Sequence, residues 1–220
     1  MGNAKFLSLL LVRAGPTEWD RQGRIAGSVD LPLPEASAAA IRSASGPYAA
    51  TLAAVLCGPE QASVAAAKAF GGRMRVRPSE DLKEPGAGLW EGMLETEVEQ
   101  RYRSCYREWR TDPGSVCIPE GEPLLAAQAR LVRAVVGLGG KFASDAQHVA
   151  VVVRPLAWGL LRCWAESRAL ADLWKLLEPE TGSGEDGTTG GEQLVAAVLV
   201  ESSKLKDLPV APRTATRARA

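Results

Sequence analysis

At 220 residues the chain suits one domain, with ample length to bury a core. Apolar residues make up 46% and charged residues 24%, the values of an ordinary soluble globular protein. Lys and Arg together equal Asp and Glu at 26 each, so no global field recruits nucleic acid or a membrane, and neither is expected as a partner.

The N-terminal run MGNAKFLSLLLV passes straight into Arg13 with no small-residue cleavage site, which favours an internal strand over a secretory leader. Phe6 stands where a myristoylation signal needs Ser or Thr, so no lipid anchor is expected and the chain reads as cytoplasmic. Cys57, Cys105, Cys117 and Cys163 are scattered without paired spacing, and His148 is the single histidine. That inventory gives a metal site little to build on, so no metal or cofactor is expected. Cys57 and Cys163 lie in apolar stretches and read as small core residues.

Phe6 to Val12 is apolar apart from Ser8 and predicts a strand buried on both faces. An Arg13-Ala14-Gly15 turn follows, then a polar, glycine-punctuated loop to Leu33. Such strand-to-loop junctions are where an α/β protein keeps its site. Alanine-rich Pro34 to Ser45 predicts a helix, and Leu52 to Cys57, bounded by Gly58-Pro59, a second buried strand. A helix from Glu60 to Phe70 stops at Gly71-Gly72, and the basic alternation of Arg73 to Pro78 suits an edge strand.

Glu95 to Arg110 has helical spacing and ends before Asp112-Pro113-Gly114. Leu124 to Phe142 is a long amphipathic helix, with Leu125, Ala129, Val132, Val136 and Leu138 assigned to its buried side. His148 to Val153 predicts the next strand, after which Pro155 suits the first position of a helix carrying Leu160, Leu161 and Trp164. Thr181 to Gly191 is too polar and glycine-rich to pack, Leu194 to Val200 gives a last strand, and residues 201–220 form a basic tail expected to be disordered. One domain over residues 1–200 and that tail account for the whole chain.

The punctuation of these elements resembles the histidine phosphatase superfamily, the phosphoglycerate mutase-like enzymes. Arg13, Gly15, Thr17, Glu18, Trp19, Gly23, Arg24, Gly27, Asp30, Pro32 and Leu33 follow the family's Arg-His-Gly opening and the Gly-Arg-x-x-Gly stretch after it. Leu82-Lys83-Glu84 through Gly88-Leu89-Trp90-Glu91-Gly92 is similar to the motif that carries the family's proton donor, at Glu84. Pro119 to Pro123 resembles the Pro-Gly-Gly-Glu-Ser turn. The resemblance implies a three-layer α/β/α sandwich with a mostly parallel central sheet.

It also implies a departure. The nucleophilic histidine position is Ala14, the family's Asn position is Asp20, the phosphoryl-gripping arginine position is Ala62, and the second histidine position is Arg154. Phosphohistidine chemistry needs a neutral imidazole aimed at phosphorus, cations around the equatorial oxygens and an acid for the leaving alcohol. Ala14 has no lone pair, Ala62 no cation, and Arg154 is permanently protonated. His148 is no substitute, because six residues of strand at about 3.3 Å each put it roughly 20 Å from the Arg154 end.

No catalytic residue is therefore assigned, with Glu84 as the retained acid. Arg13, Arg24, Glu84 and Arg154 are the candidate ligand-binding residues. Two arrangements stay open: the arginines converge on a phosphate or other small anion, or Arg13 and Arg154 pair with Glu18, Asp20 or Glu84 and shut the pocket. Glu84 is then either a working acid or an ion-pair partner, and Trp158 either faces the cleft or packs in the core. The expected function is an inactive phosphatase-like protein that acts by binding, as a partner subunit, a homo-oligomer or a phospho-ligand sensor. The alternatives are an enzyme reusing the cleft without phosphohistidine, and a relative with no ligand.

Overall fold

The computed structural model describes residues 6–142, 148–178 and 195–201. Its centre is a five-stranded sheet in the order β3-β2-β4-β1-β5, formed by β1 (Phe6–Arg13), β2 (Leu52–Cys57), β3 (Val76–Pro78), β4 (His148–Val153) and β5 (Val195–Glu201). The first four are mutually parallel where they pair, and β5 runs antiparallel along β1. The result is the α/β sandwich that the resemblance implies.

Side-chain alternation along the strands divides the core in two. Leu10 and Val12 of β1, with Ala150 and Val152 of β4, face α2 (Glu35–Ala44) and α3 (Gln61–Gly71), where Ile41, Ala66, Ala67 and Phe70 close the layer. Leu9 and Leu11, with Val149, Val151 and Val153, face α6 (Leu124–Phe142) and α7 (Pro155–Ala165). The apolar runs Leu9–Val12 and Val149–Val153, buried at every position, are thus explained by helices on both faces, and each buried leucine contributes about 1.5–3 kcal/mol. Cys57 and Cys163 are buried in these layers.

Three local expectations need correction. The loop after β1 contains a single helical turn, α1 (Glu18–Arg21), held where the Asp20 carboxylate accepts hydrogen bonds from Thr17. The helix expected over Glu95 to Arg110 is two, α4 (Glu95–Arg101) and α5 (Arg103–Thr111), because Tyr102 leaves helical geometry at φ −121° and ψ 38°. The buried side of α6 carries Leu124, Ala127, Leu131 and Val135, while Leu125 is 49% exposed. The buried face takes in residues of both sets, and of the expected residues whose side chains are described only Leu125 is exposed. Ala129 and Val132 are buried as expected, and Val136 packs against the core. The Leu138 side chain, residues 181–191 and residues 202–220 lie outside what is described.

Candidate functional site

β1 and β4 run side by side in register, with Arg13 opposite Val153, so the two strands deliver Arg13-Ala14 and Arg154 to the same end of the sheet. β2 lies on the other side of β4, and the Gly58 amide donates to the Val152 carbonyl at 3.0 Å, which brings Glu60 and the start of α3 to that end as well. Crevices at the carboxyl ends of parallel strands are the usual ligand sites of this architecture.

On the β1 and α3 side the site is sealed. Ala14 is 0% exposed and its amide donates to the Val153 carbonyl at 2.8 Å. Ala62, in the first turn of α3, is 1% exposed. Neither residue lines the cavity described below.

The β4 and α7 side is charged. Arg154 is the N-cap of α7 and is 3% exposed; its Nη2 donates to both carboxylate oxygens of Asp20, at 3.2 and 3.0 Å. Asp20 also accepts from the Thr17 amide at 2.7 Å and from Thr17 Oγ1 at 2.6 Å. Of the pairings left open by the sequence, the structure makes the Arg154–Asp20 one. Arg154 Nη1 is buried without an acceptor.

Glu84 takes a role the sequence reading did not include. Pro155 begins α7 without an amide hydrogen, and the next two amides, of Leu156 and Ala157, donate to Glu84 Oε1 and Oε2 at 2.9 and 2.8 Å. The carboxylate thus caps the positive end of α7 from another segment. Its own backbone amide donates to Glu60 Oε1 at 2.5 Å, while Glu60 Oε2 is buried without a partner. Burial pushes the Glu84 carboxyl up to about 7; Arg154 and the two helix amides pull the other way, and Glu60 adds a further push upward.

Arg24, Glu84 and Arg154 meet in the wall of one cavity of about 160 Å³, with Asp20 and Glu122. Arg13 is outside that wall: its Nη1 donates to the Leu177 carbonyl at 3.3 Å and its guanidinium lies 5.9 Å from the Trp158 ring centre. Arg24 donates to the Gly92 carbonyl at 2.6 Å and to Gln22 at 3.1 Å. Glu91 ties the two loops of the wall together, Oε1 accepting from the Ser28 amide and hydroxyl at 2.8 Å and from the Ala87 amide at 3.1 Å. Between them Gly27 sits at φ +52°, where a side chain would run into Glu91.

The sequence reading missed two members of this wall. Trp158 is fully buried, donating to the Leu11 carbonyl at 3.0 Å, and is not in the wall. The aromatic surface comes from Trp109 and Trp174, whose ring centres are 4.1 Å apart, with the Trp174 indole donating to the Trp109 carbonyl at 2.8 Å. Neither carries a sequence signal beyond being a tryptophan in a helix. His148 lies at the opposite end of β4, 2.6 Å from Ser8 Oγ and edge-on to Tyr48. Among the described residues, no three or more His, Cys, Asp or Glu side chains are grouped to hold a metal, and no helix is long and apolar enough to cross a membrane.

These elements define an α/β protein with its candidate site at the carboxyl ends of β1 and β4. Residues 9–186 match the histidine phosphatase superfamily, branch 1, and the chain belongs to that superfamily. Among solved structures it is similar to YhfR of Bacillus stearothermophilus, at 26% identity and a TM-score of 0.68, covering 76% of this chain and 84% of that one. The alpha-ribazole phosphatase of Shigella flexneri shares the fold at 21% identity and a TM-score of 0.65, covering 77% and 84%. A mycobacterial glucosyl-3-phosphoglycerate phosphatase does so at 21% identity and 0.66, covering 79% and 85%. No curated protein sequence matches the chain significantly.

Proposed function

We propose that this chain is a catalytically silent member of its superfamily that acts by binding, as a partner subunit or as a sensor of a small ligand held in the former phosphatase cleft. The observation that carries the reading is Ala14. At the position of the family's phosphorus-attacking histidine stands a buried methyl group, so no lone pair is available for a phosphoryl intermediate. Ala62 removes a cation from the same centre, and Arg154 has its Nη2 committed to Asp20. The test is turnover of p-nitrophenyl phosphate by the purified chain. A rate equal to buffer is expected; turnover that survives purification and disappears in Arg13→Ala would overturn the reading.

One observation favours a second reading, an enzyme that uses the cleft without phosphohistidine. Glu84, in the cavity wall with its carboxyl lifted to about 7, is poised to exchange a proton near neutral pH. Against it, both Glu84 oxygens already accept amides of α7. A substrate-dependent activity abolished by Glu84→Gln, with the fold intact, would favour it over the binding reading.

A further inference from the structure

The two faces of α5 differ. On the inner face Trp109 is buried, edge-on to Trp90 and close to Trp174, while Arg103, Arg107 and Arg110 follow one another at helical spacing along the outer face. With Glu99 and Gln100 from the last turn of α4, and with Tyr106, these arginines line a surface groove of about 360 Å³. It shares no residue with the cavity at the carboxyl ends of the strands.

The three arginines are not in the same state. Arg110 is held in place, with Nη1 3.6 Å from Glu95, Nη2 3.3 Å from Glu178 and its guanidinium 5.0 Å from the Trp174 ring centre. Glu95 is engaged further, because its Oε1 accepts from the Tyr106 hydroxyl at 2.6 Å. Arg103 and Arg107 are exposed, and neither forms an ion pair among the described residues. Glu99 is the single carboxylate among the described residues of the groove wall, against three guanidinium groups. Like charges one turn apart oppose each other on a helix, and an incoming anion relieves that repulsion.

Spacing indicates which anion fits. Arg103 and Arg107 lie four residues apart on the helix, about 6 Å along its axis. In an extended peptide, residues two apart point to the same side and are separated by about 6.6 Å. Carboxylates at alternate positions of an extended segment therefore meet both guanidiniums, whose planar fork matches a carboxylate. A lone phosphate leaves most of the groove unfilled. A nucleic acid needs a broad positive field, whereas this chain balances 26 basic against 26 acidic residues and places Glu95, Glu99 and Glu108 on and beside α5.

We propose that the groove between α4 and α5 is an interaction surface for a partner protein, taking an extended acidic segment whose alternate carboxylates pair with Arg103 and Arg107. The inference rests on the binding reading above, in its partner-subunit form, and gives that partner a surface and a chemistry.

The test is fluorescence anisotropy of the full chain with a labelled heptapeptide alternating glutamate and serine, beside the same peptide with glutamine for glutamate. The acidic peptide is expected to bind saturably, the glutamine peptide not to bind, and the affinity to fall as salt is raised. Arg103→Ala with Arg107→Ala should weaken binding by about five-fold or more, and Glu99→Gln should strengthen it. Both arginines are exposed, so the double variant should keep the native circular dichroism. No saturable binding of the acidic peptide would overturn the proposal, as would a folded double variant that binds as tightly as the native chain. So would a single-stranded oligonucleotide that binds more tightly than the peptide, or inorganic phosphate that displaces the peptide at equal concentration. Turnover of a phosphomonoester would sink the silent-enzyme reading, whereas failure of the peptide without turnover would sink the surface alone.

Discussion

The two sides of the cleft are built in opposite ways. Where β1 meets α3, Ala14 and Ala62 are small, apolar and sealed, and the backbone closes over them through the Ala14 amide. Where β4 meets α7, Asp20, Glu84 and Arg154 form a charged cluster tied to a helix terminus. The comparison separates two ways of filling a position at the carboxyl end of a parallel strand. A position filled by a methyl group makes no further demand on its surroundings. One filled by a buried guanidinium needs a carboxylate nearby and depends on it for stability.

The largest effect should therefore come from the charged side. Arg154→Ala leaves Asp20 without its ion pair and Glu84 without the nearby positive charge, and breaking a buried pair costs about 3–5 kcal/mol. Urea unfolding would measure it; a loss below about 1 kcal/mol would mean that the two sides do not differ in the way described.

Glu84→Gln sharpens the contrast through pH. Because burial lifts this carboxyl from 4.5 to about 7, the folded chain holds a proton that the unfolded chain releases between those values. Its contribution is fully present below about pH 4.5 and is lost as pH rises through 7. The native chain should lose on the order of 3 kcal/mol across that window relative to Glu84→Gln. Parallel pH curves for the two proteins would refute the assignment.

On the sealed side a large side chain should be resisted for steric reasons. Ala62→Arg forces a long chain into a position that is 1% exposed, and overpacking of this kind costs about 1–3 kcal/mol. If the substitution is instead neutral and raises affinity for phosphate, the β1 and α3 side is still an open anion site.

Much of this was legible in the chain. The runs Leu52–Cys57 and His148–Val153 have the expected limits because uninterrupted apolar residues between turn signals leave a doubly buried strand little freedom. The motif order also located Arg24, Glu84 and Arg154, which share one cavity wall. What did not follow from the sequence depends on partners distant in the chain. Glu84 reads as an acid or ion-pair partner until one sees that Pro155 leaves two helix amides facing it, 72 and 73 residues away. Trp109 and Trp174, 65 residues apart, become a cavity surface only when α5 and α8 (Leu173–Leu177) pack together. Leu125 was misassigned to the buried side of α6 because the edges of a helix's buried face are set by packing, not by its own periodicity.

The smallest predicted effect tests whether the charged side behaves as one unit. Thr17 is fully buried and its hydroxyl donates to the same Asp20 oxygen that Arg154 reaches. Thr17→Val keeps the shape and the backbone donor but removes that hydroxyl, and a hydrogen bond to a charged acceptor is worth about 1.5 kcal/mol or slightly more. In the Arg154→Ala background Asp20 has already lost its cation and depends more on its remaining donors. The second substitution should then cost more than it does alone, with a coupling of about 0.5 kcal/mol or above for groups sharing one partner. A double-mutant cycle that closes additively would show that Thr17 and Arg154 act on Asp20 independently, and that the cluster is two separate contacts sharing a residue.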